Sequence, residues 1–202
     1  MISPKRHKLE LRGVPQFFFV GKGGVPMRKR LLFWEVAGFL WTAAAGTLLH
    51  FTYDWSGGSK IAAAFSAVNE STWEHMKLLF VPLFLFTVVQ VAFLGRTYPN
   101  LLAVRAVAAL TGLALIPVLF YTYGGVVGET FAAANIAVFY LSVLAAFALD
   151  FYLLQRGRFS APWQQVLGLA VLWALAFAFV WCTFRPPELG LWQAPAVGCL
   201  GL

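Results

Sequence analysis

Charged side chains make up only 11% of this 202-residue chain, and acids are the scarcer kind, with eight Asp and Glu against 15 Lys and Arg. Soluble domains are typically near half apolar and about a quarter charged. Here 60% of the residues are hydrophobic and the mean hydropathy is +0.76, which excludes an ordinary water-soluble domain. Cysteine is limited to Cys182 and Cys199, compatible with one disulfide or with separate thiols. There is no Gly-rich phosphate loop, dinucleotide fingerprint, haem-attachment motif or internal repeat, so no cofactor is announced by a motif. The apolar runs are continuous and do not alternate, which argues against spanning strands.

What is abundant is apolar sequence in blocks of about 20 residues, the length that crosses roughly 30 Å of hydrocarbon. The expected fold is all-α: a polytopic membrane helix bundle of about five transmembrane helices in one domain, residues 31–185. The spans read as Leu31–Phe51, Leu78–Leu94, Leu101–Tyr123 with a kink at Pro117, Phe131–Leu154 and Pro162–Phe184. Tyr53 to Lys60 has the Gly pair and small polar residues of a loop. Ile61–Val68 is apolar but too short to cross, and reads as a re-entrant or interfacial segment between the first two spans. Gly124, Gly125 and Gly128 should break the chain, whereas Gly38 and Gly46 suit close helix packing.

Residues 1–30 form a basic N-terminal tail without the apolar core or cleavage site of a secretory signal. A second expectation is translation from Met27, because Lys22-Gly23-Gly24 can be encoded by a purine-rich ribosome-binding sequence at a suitable distance. Residues 186–202 are a short tail expected outside. Lys60, Lys77 and Arg185 fall on one side, and every other Lys and Arg, Arg105 included, falls on the other. The positive-inside rule then gives N-in and C-out, a multi-pass protein of the cell membrane. The formal charge of +7 is therefore a topology signal. Nucleic acid is not an expected partner, since no patterned basic face exists; the lipid bilayer is.

That topology gathers unusual residues at the outer face. His50 and Asp54 end the first span, and Asn69-Glu70-Ser71-Thr72-Trp73-Glu74-His75-Met76-Lys77 opens the second. Ionisable groups at membrane depth are costly and usually face protein or a water-filled cavity. Glu70 and Glu74 lie one helical turn apart, and with His50 and His75 they form a candidate ligand set for a divalent metal such as zinc. The same groups suit acid–base work, so Glu70, Glu74, His75, Lys77 and Asn69 are the candidate catalytic residues. Neither His-Glu-x-x-His nor Glu-x-x-His occurs, and a metal-free pocket in which Lys77 neutralises Glu74 is an equal physical alternative. Structural roles compete as well. Ser71 to Glu74 fits a capping box, and Trp55 and Trp73 suit an interfacial belt. Glu35 is expected to pair with the Arg28–Arg30 group, and Asp150 with Arg156 or another inner arginine.

His50-Phe51-x-Tyr53-x-Trp55-Ser56-Gly57, Asn69-Glu70-Ser71-x-Trp73-Glu74-His75-x-Lys77-Leu78 and the closing Phe184-x-Pro186-Pro187 segment resemble the DUF6512 family of small bacterial and archaeal membrane proteins. The resemblance runs from about Phe33 to the end. It implies the same span assignment and picks out the same polar residues, but supplies no substrate. Two function classes follow. One is an intramembrane enzyme acting on a lipid or amphipathic small molecule. The other is a non-enzymatic transporter, ion- or ligand-binding protein, or accessory subunit of a membrane complex. Lack of an inverted repeat weighs against a stand-alone transporter.

Overall fold

The computed structural model describes residues 27–193; the basic segment before Met27 and the closing residues with Pro195 and Cys199 lie outside them. Among the described residues the chain is all-helical: α1 (Met27–Trp55), α2 (Lys60–Phe65), α3 (Thr72–Leu94), α4 (Leu101–Val127), α5 (Ala132–Gln155) and α6 (Pro162–Phe184), then a single 3₁₀ turn at Gly190–Trp192. Five of these, all but α2, are long and apolar enough to cross a membrane. The short α2 rises only about 9 Å, so it connects two spans without being one.

Helix boundaries depart from the sequence reading in ways that matter for the site. α1 continues through His50, Tyr53 and Asp54 to Trp55. Gly124 and Gly125 do not break the chain; they lie within α4, and the stop comes at Gly128. There a φ of +85° favours glycine over any residue with a Cβ, and the Gly128 N–H bonds the Gly124 carbonyl at 2.8 Å. Glycine lowers helix propensity by about 1 kcal/mol, but water is not available to an uncoiled backbone in hydrocarbon, so helix wins.

α3 and α4 occupy the middle of the bundle. Leu79, Phe80 and Leu83 of α3 meet Ala109 and Leu113 of α4 and Val143, Ala146 and Phe147 of α5, all buried. Close approach depends on small residues, as expected where lipid gives helices no hydrophobic reason to associate. A Cβ on Gly38 would collide with the rings of Phe86 and Phe147, and one on Gly46 with the Leu78 carbonyl. Pro82, inside α3, cannot donate to that same carbonyl. Its own carbonyl accepts from the Trp41 indole at 3.0 Å. α6 buries only Gly168, Leu172 and Phe179 and turns large side chains outward, with Val166 70% and Phe177 67% exposed. In water such a surface would aggregate; among acyl chains it meets a matching solvent.

Gly168 packs against backbone alone, because an added Cβ would sit 2.7 Å from both Ala103 Cα and the Leu102 carbonyl oxygen. Backbone cannot step aside as a ring can. Gly168→Ala should therefore cost about 1–3 kcal/mol by forcing α6 off α4. Gly125→Ala, which meets nothing within 4 Å, should be neutral or mildly stabilising. Thermal unfolding in detergent checks both, and equal melting temperatures for the two variants would contradict the packing described.

Candidate metal and ligand site

The turn between α2 and α3 is built by its own side chains. Asn69 Oδ1 accepts the Ser71 N–H at 2.9 Å, an Asx turn. Ser71 Oγ caps α3 by accepting the Glu74 N–H at 3.3 Å. Only half of the expected capping box exists, because the Glu74 carboxylate is engaged elsewhere. The turn throws Glu70 to the surface, 69% exposed, facing two imidazoles.

His50 comes from α1 and His75 from the first turn of α3. Glu70 Oε1 is 3.8 Å from His50 Nε2, Glu70 Oε2 is 3.4 Å from His75 Nε2, and the ring centroids are 5.4 Å apart. One ligand atom from each of the three residues lies within 4.8 Å of the others. His75 Nδ1 sits 2.9 Å from the Ser71 carbonyl oxygen. A carbonyl only accepts, so that contact assigns the ring hydrogen to Nδ1. A neutral His75 then presents a bare Nε2 to a carboxylate oxygen. Two acceptors at that distance need a proton or a cation between them. With a proton there, the hydrogen bond from His75 holds the Glu70 carboxyl below its ordinary range; partial burial opposes this, and the charges of His75 and His50 add to it.

Beside the three residues lies a cavity of about 330 Å³. Gly46, Thr47 and Phe51 on α1 and Asn135, Phe139 and Tyr140 on α5 form its walls, and His50, Glu70 and His75 supply its ionisable lining. Polar groups in those walls are paired: the Thr47 and Tyr140 hydroxyls are 3.0 Å apart, and Tyr123 donates to Asn135 Oδ1. Tyr140 and Thr47 were not singled out in the sequence, being ordinary residues within apolar spans.

The expected cluster divides in two. Glu74 and Lys77 turn inward, away from Glu70, and pair at 2.7 Å with 3% and 0% of their side chains exposed. Lys77 Nζ also donates to the Ala63 carbonyl at 2.8 Å and to Thr183 Oγ1 at 2.7 Å. Glu74 accepts from the Val68 N–H at 3.1 Å, and the Thr183 hydroxyl lies 3.1 Å from its other oxygen. That single hydroxyl hydrogen serves either Glu74 or the Phe179 carbonyl, 2.9 Å away. The pair thus ties the α2 segment, α3 and α6 together, with Glu74 Oε2 held by Lys77 and Val68 and Glu74 Oε1 facing the Thr183 hydroxyl. Trp73 likewise is no belt residue: it stacks between Phe179 and Trp192, at centroid distances of 4.6 and 4.7 Å. Trp55, 70% exposed, does face outward.

At the opposite end a second buried polar group was missed. Glu35 does not pair with Arg28–Arg30. Its carboxylate meets Arg105 at 3.6 Å and the Gln90 amide at 3.0 Å. Asp150 does pair with an inner arginine, as expected, but with Arg105 at 2.9 Å and not with Arg156, which lies over the Tyr152 ring. Arg105 is fully buried, so it is no loop charge; nor is Lys77. The legible signal was Gln90 and Arg105 lying within apolar spans.

Residues 27–202 match the family described as "Family of unknown function (DUF6512)". The chain belongs to this family. No curated protein and no solved structure matches it. Membership assigns no substrate, so the chemistry of the site rests on its own geometry.

If Glu74–Lys77 is an internal brace, Lys77→Met should strand a buried carboxylate and cost about 3–5 kcal/mol. Glu70→Gln, at an exposed lip, should shift unfolding little. Comparable losses from both variants in detergent would show that the two groups act as one.

Proposed function

We propose that the protein binds one divalent transition-metal ion of the zinc type through His50, Glu70 and His75, and acts there on an amphipathic substrate whose apolar part occupies the adjacent cavity. The observation that carries this is the convergence of three ligand atoms within 4.8 Å, with the other nitrogen of His75 already committed to the Ser71 carbonyl. Metal-binding imidazoles usually donate their second ring nitrogen to a backbone carbonyl or carboxylate, which orients the ring. Three protein ligands, two imidazoles and a carboxylate, are the number typical of catalytic rather than structural zinc, leaving a position for substrate. Such an ion would supply Lewis acidity. The chain itself contributes the ligands, the Thr47–Tyr140 hydroxyl pair and an apolar wall that holds the ligand and limits water.

Orientation belongs to the same proposal. Arg28, Lys29, Arg30, Arg96, Arg156 and Arg158 flank the helices at the end opposite the site, against Lys60 and Arg185 at the site end. Removing the buried Arg105 and Lys77 from the count leaves this asymmetry intact, which supports a site at the outer face of the cell membrane.

A metal-free reading has one observation in its favour: the Glu70–His75 contact at 3.4 Å also fits a protonated imidazole paired with a carboxylate. Elemental analysis of protein purified without added metal separates the two. About one equivalent of zinc or a neighbouring transition metal is expected, falling to background in Glu70→Ala and His75→Ala with helical circular dichroism unchanged. Zinc at a hundredfold excess over its Kd should stabilise the wild type by about 2.7 kcal/mol. Metal content that ignores both substitutions would sink the metal site. Bound metal without turnover of any amphipathic ester or amide would leave a binding or accessory role. For orientation, a periplasmic reporter fused after Trp192 should be active and a cytoplasmic one silent; the reverse pattern overturns it.

A further inference from the structure

We propose that Glu35, Gln90, Arg105 and Asp150 form an occluded binding site for one exchangeable proton, held between the two carboxyl groups. The site is separate from the His50–Glu70–His75 centre and does not depend on it. Its four residues come from four helices, α1, α3, α4 and α5, and their side chains are between 0% and 3% exposed as residues. From Leu101 to Arg105, Gln90 to Leu94 and Asp150 to Gln155 is about 6–8 Å of helix axis, so the group lies inside the bundle rather than at its rim.

Charge counting supplies the first argument. Two carboxylates share one guanidinium, so with every group ionised the cluster carries a net negative charge in a dry interior. Partly compensated charge is what hydrocarbon and packed protein tolerate least. Among the described residues no further cation pairs with either carboxylate. Arg30 gives its guanidinium to the Phe93 carbonyl at 3.1 Å, and Tyr98 donates to the Met27 carbonyl at 3.4 Å. Phe147 contributes only a ring face, 4.9 Å from the Arg105 guanidinium carbon.

Hydrogen-bond counting supplies the second. Gln90 bridges the group by donating to Glu35 Oε1 and accepting from Arg105 Nη2. Yet Glu35 Oε2 and both Asp150 oxygens are buried without a hydrogen-bond donor. Asp150 Oδ2 is within ion-pair distance of Arg105 Nη2 but outside hydrogen-bond alignment with it, so proximity there is not satisfaction. Glu35 Oε2 and Asp150 Oδ2 face the same guanidinium nitrogen, Arg105 Nη2, at 3.6 and 2.9 Å. Facing acceptors become a bonded pair when one of them carries a hydrogen, as in carboxyl dyads that share a single proton. One added proton thus cancels the excess charge and gives an orphaned oxygen its donor.

Access is closed on the near side. Leu31, Leu94, Leu101, Val104 and Leu154 form a buried apolar layer between the cluster and the helix ends, and Phe86 and Phe147 close it toward the centre. Loading and release therefore require that leucine layer to part.

Infrared spectroscopy of the full chain in lipid nanodiscs reads the proton directly. The wild type should show a carboxylic-acid carbonyl band at neutral pH that shifts in deuterium oxide only slowly. Glu35→Gln and Asp150→Asn mimic a protonated acid; each alone should abolish the band and keep the wild-type melting temperature. The double variant strands Arg105 and should melt earlier than either. Absence of the band in the wild type at neutral pH would overturn the proposal whether or not the variants fold. So would a melting temperature that rises with sodium while the band stays absent, since a metal cation would then fill the place given to the proton.

Discussion

A charge inside hydrocarbon must find its opposite within the protein, and this bundle is arranged around that requirement. Glu74 and Lys77 meet it at one end with a contact of 2.7 Å, and Arg105 meets it at the other with two acids. The desolvation cost of an ion is several kcal/mol even after relaxation, more than any single van der Waals contact in the core returns. Helix positions follow from it: α6 reaches the Glu74–Lys77 pair through Thr183, and α5 reaches Arg105 through Asp150. Glycine at Gly38, Gly46 and Gly168 lets the helices that carry these side chains pack closely.

Much of this was legible in the sequence because bilayer thickness imposes a length on apolar runs. All five spans and the non-spanning piece were located that way, within a few residues. The same logic marked His50, Glu70 and His75, since polar side chains beside long apolar runs are conspicuous. Partner choice was not legible. Glu70 and Glu74 are one turn apart on paper, but Glu70 precedes the helix that begins at Thr72, so the periodicity that would align them does not apply. Glu35 looked close to Arg28–Arg30 along α1. Its real partner is seventy residues away on α4, a pairing that only tertiary packing creates.

The two polar groups differ in kind. Around Glu74 the Lys77 ammonium has three partners and each carboxylate oxygen faces a donor, which is the signature of a brace. Around Glu35 and Asp150 several oxygens have no such donor, and a buried polar group left short of partners points to something that comes and goes. His50, Glu70 and His75 are intermediate: partly exposed, incompletely bonded and bordering a cavity. Membership in DUF6512 assigns no chemistry and leaves the division of labour to be read from the bonds themselves.

The bond from Lys77 to the Ala63 carbonyl has a bearing on traffic. It anchors the segment that bears Glu70, so that segment cannot swing like a flap without uncovering a buried ammonium. The gap between α1 and α5, edged by the exposed Phe51 and Ile136, is bridged by the Thr47–Tyr140 hydroxyl pair and by no buried charge of that kind. On the function proposed above, an apolar tail would enter through this gap by displacing one hydroxyl contact, while the segment that bears Glu70 stays in place.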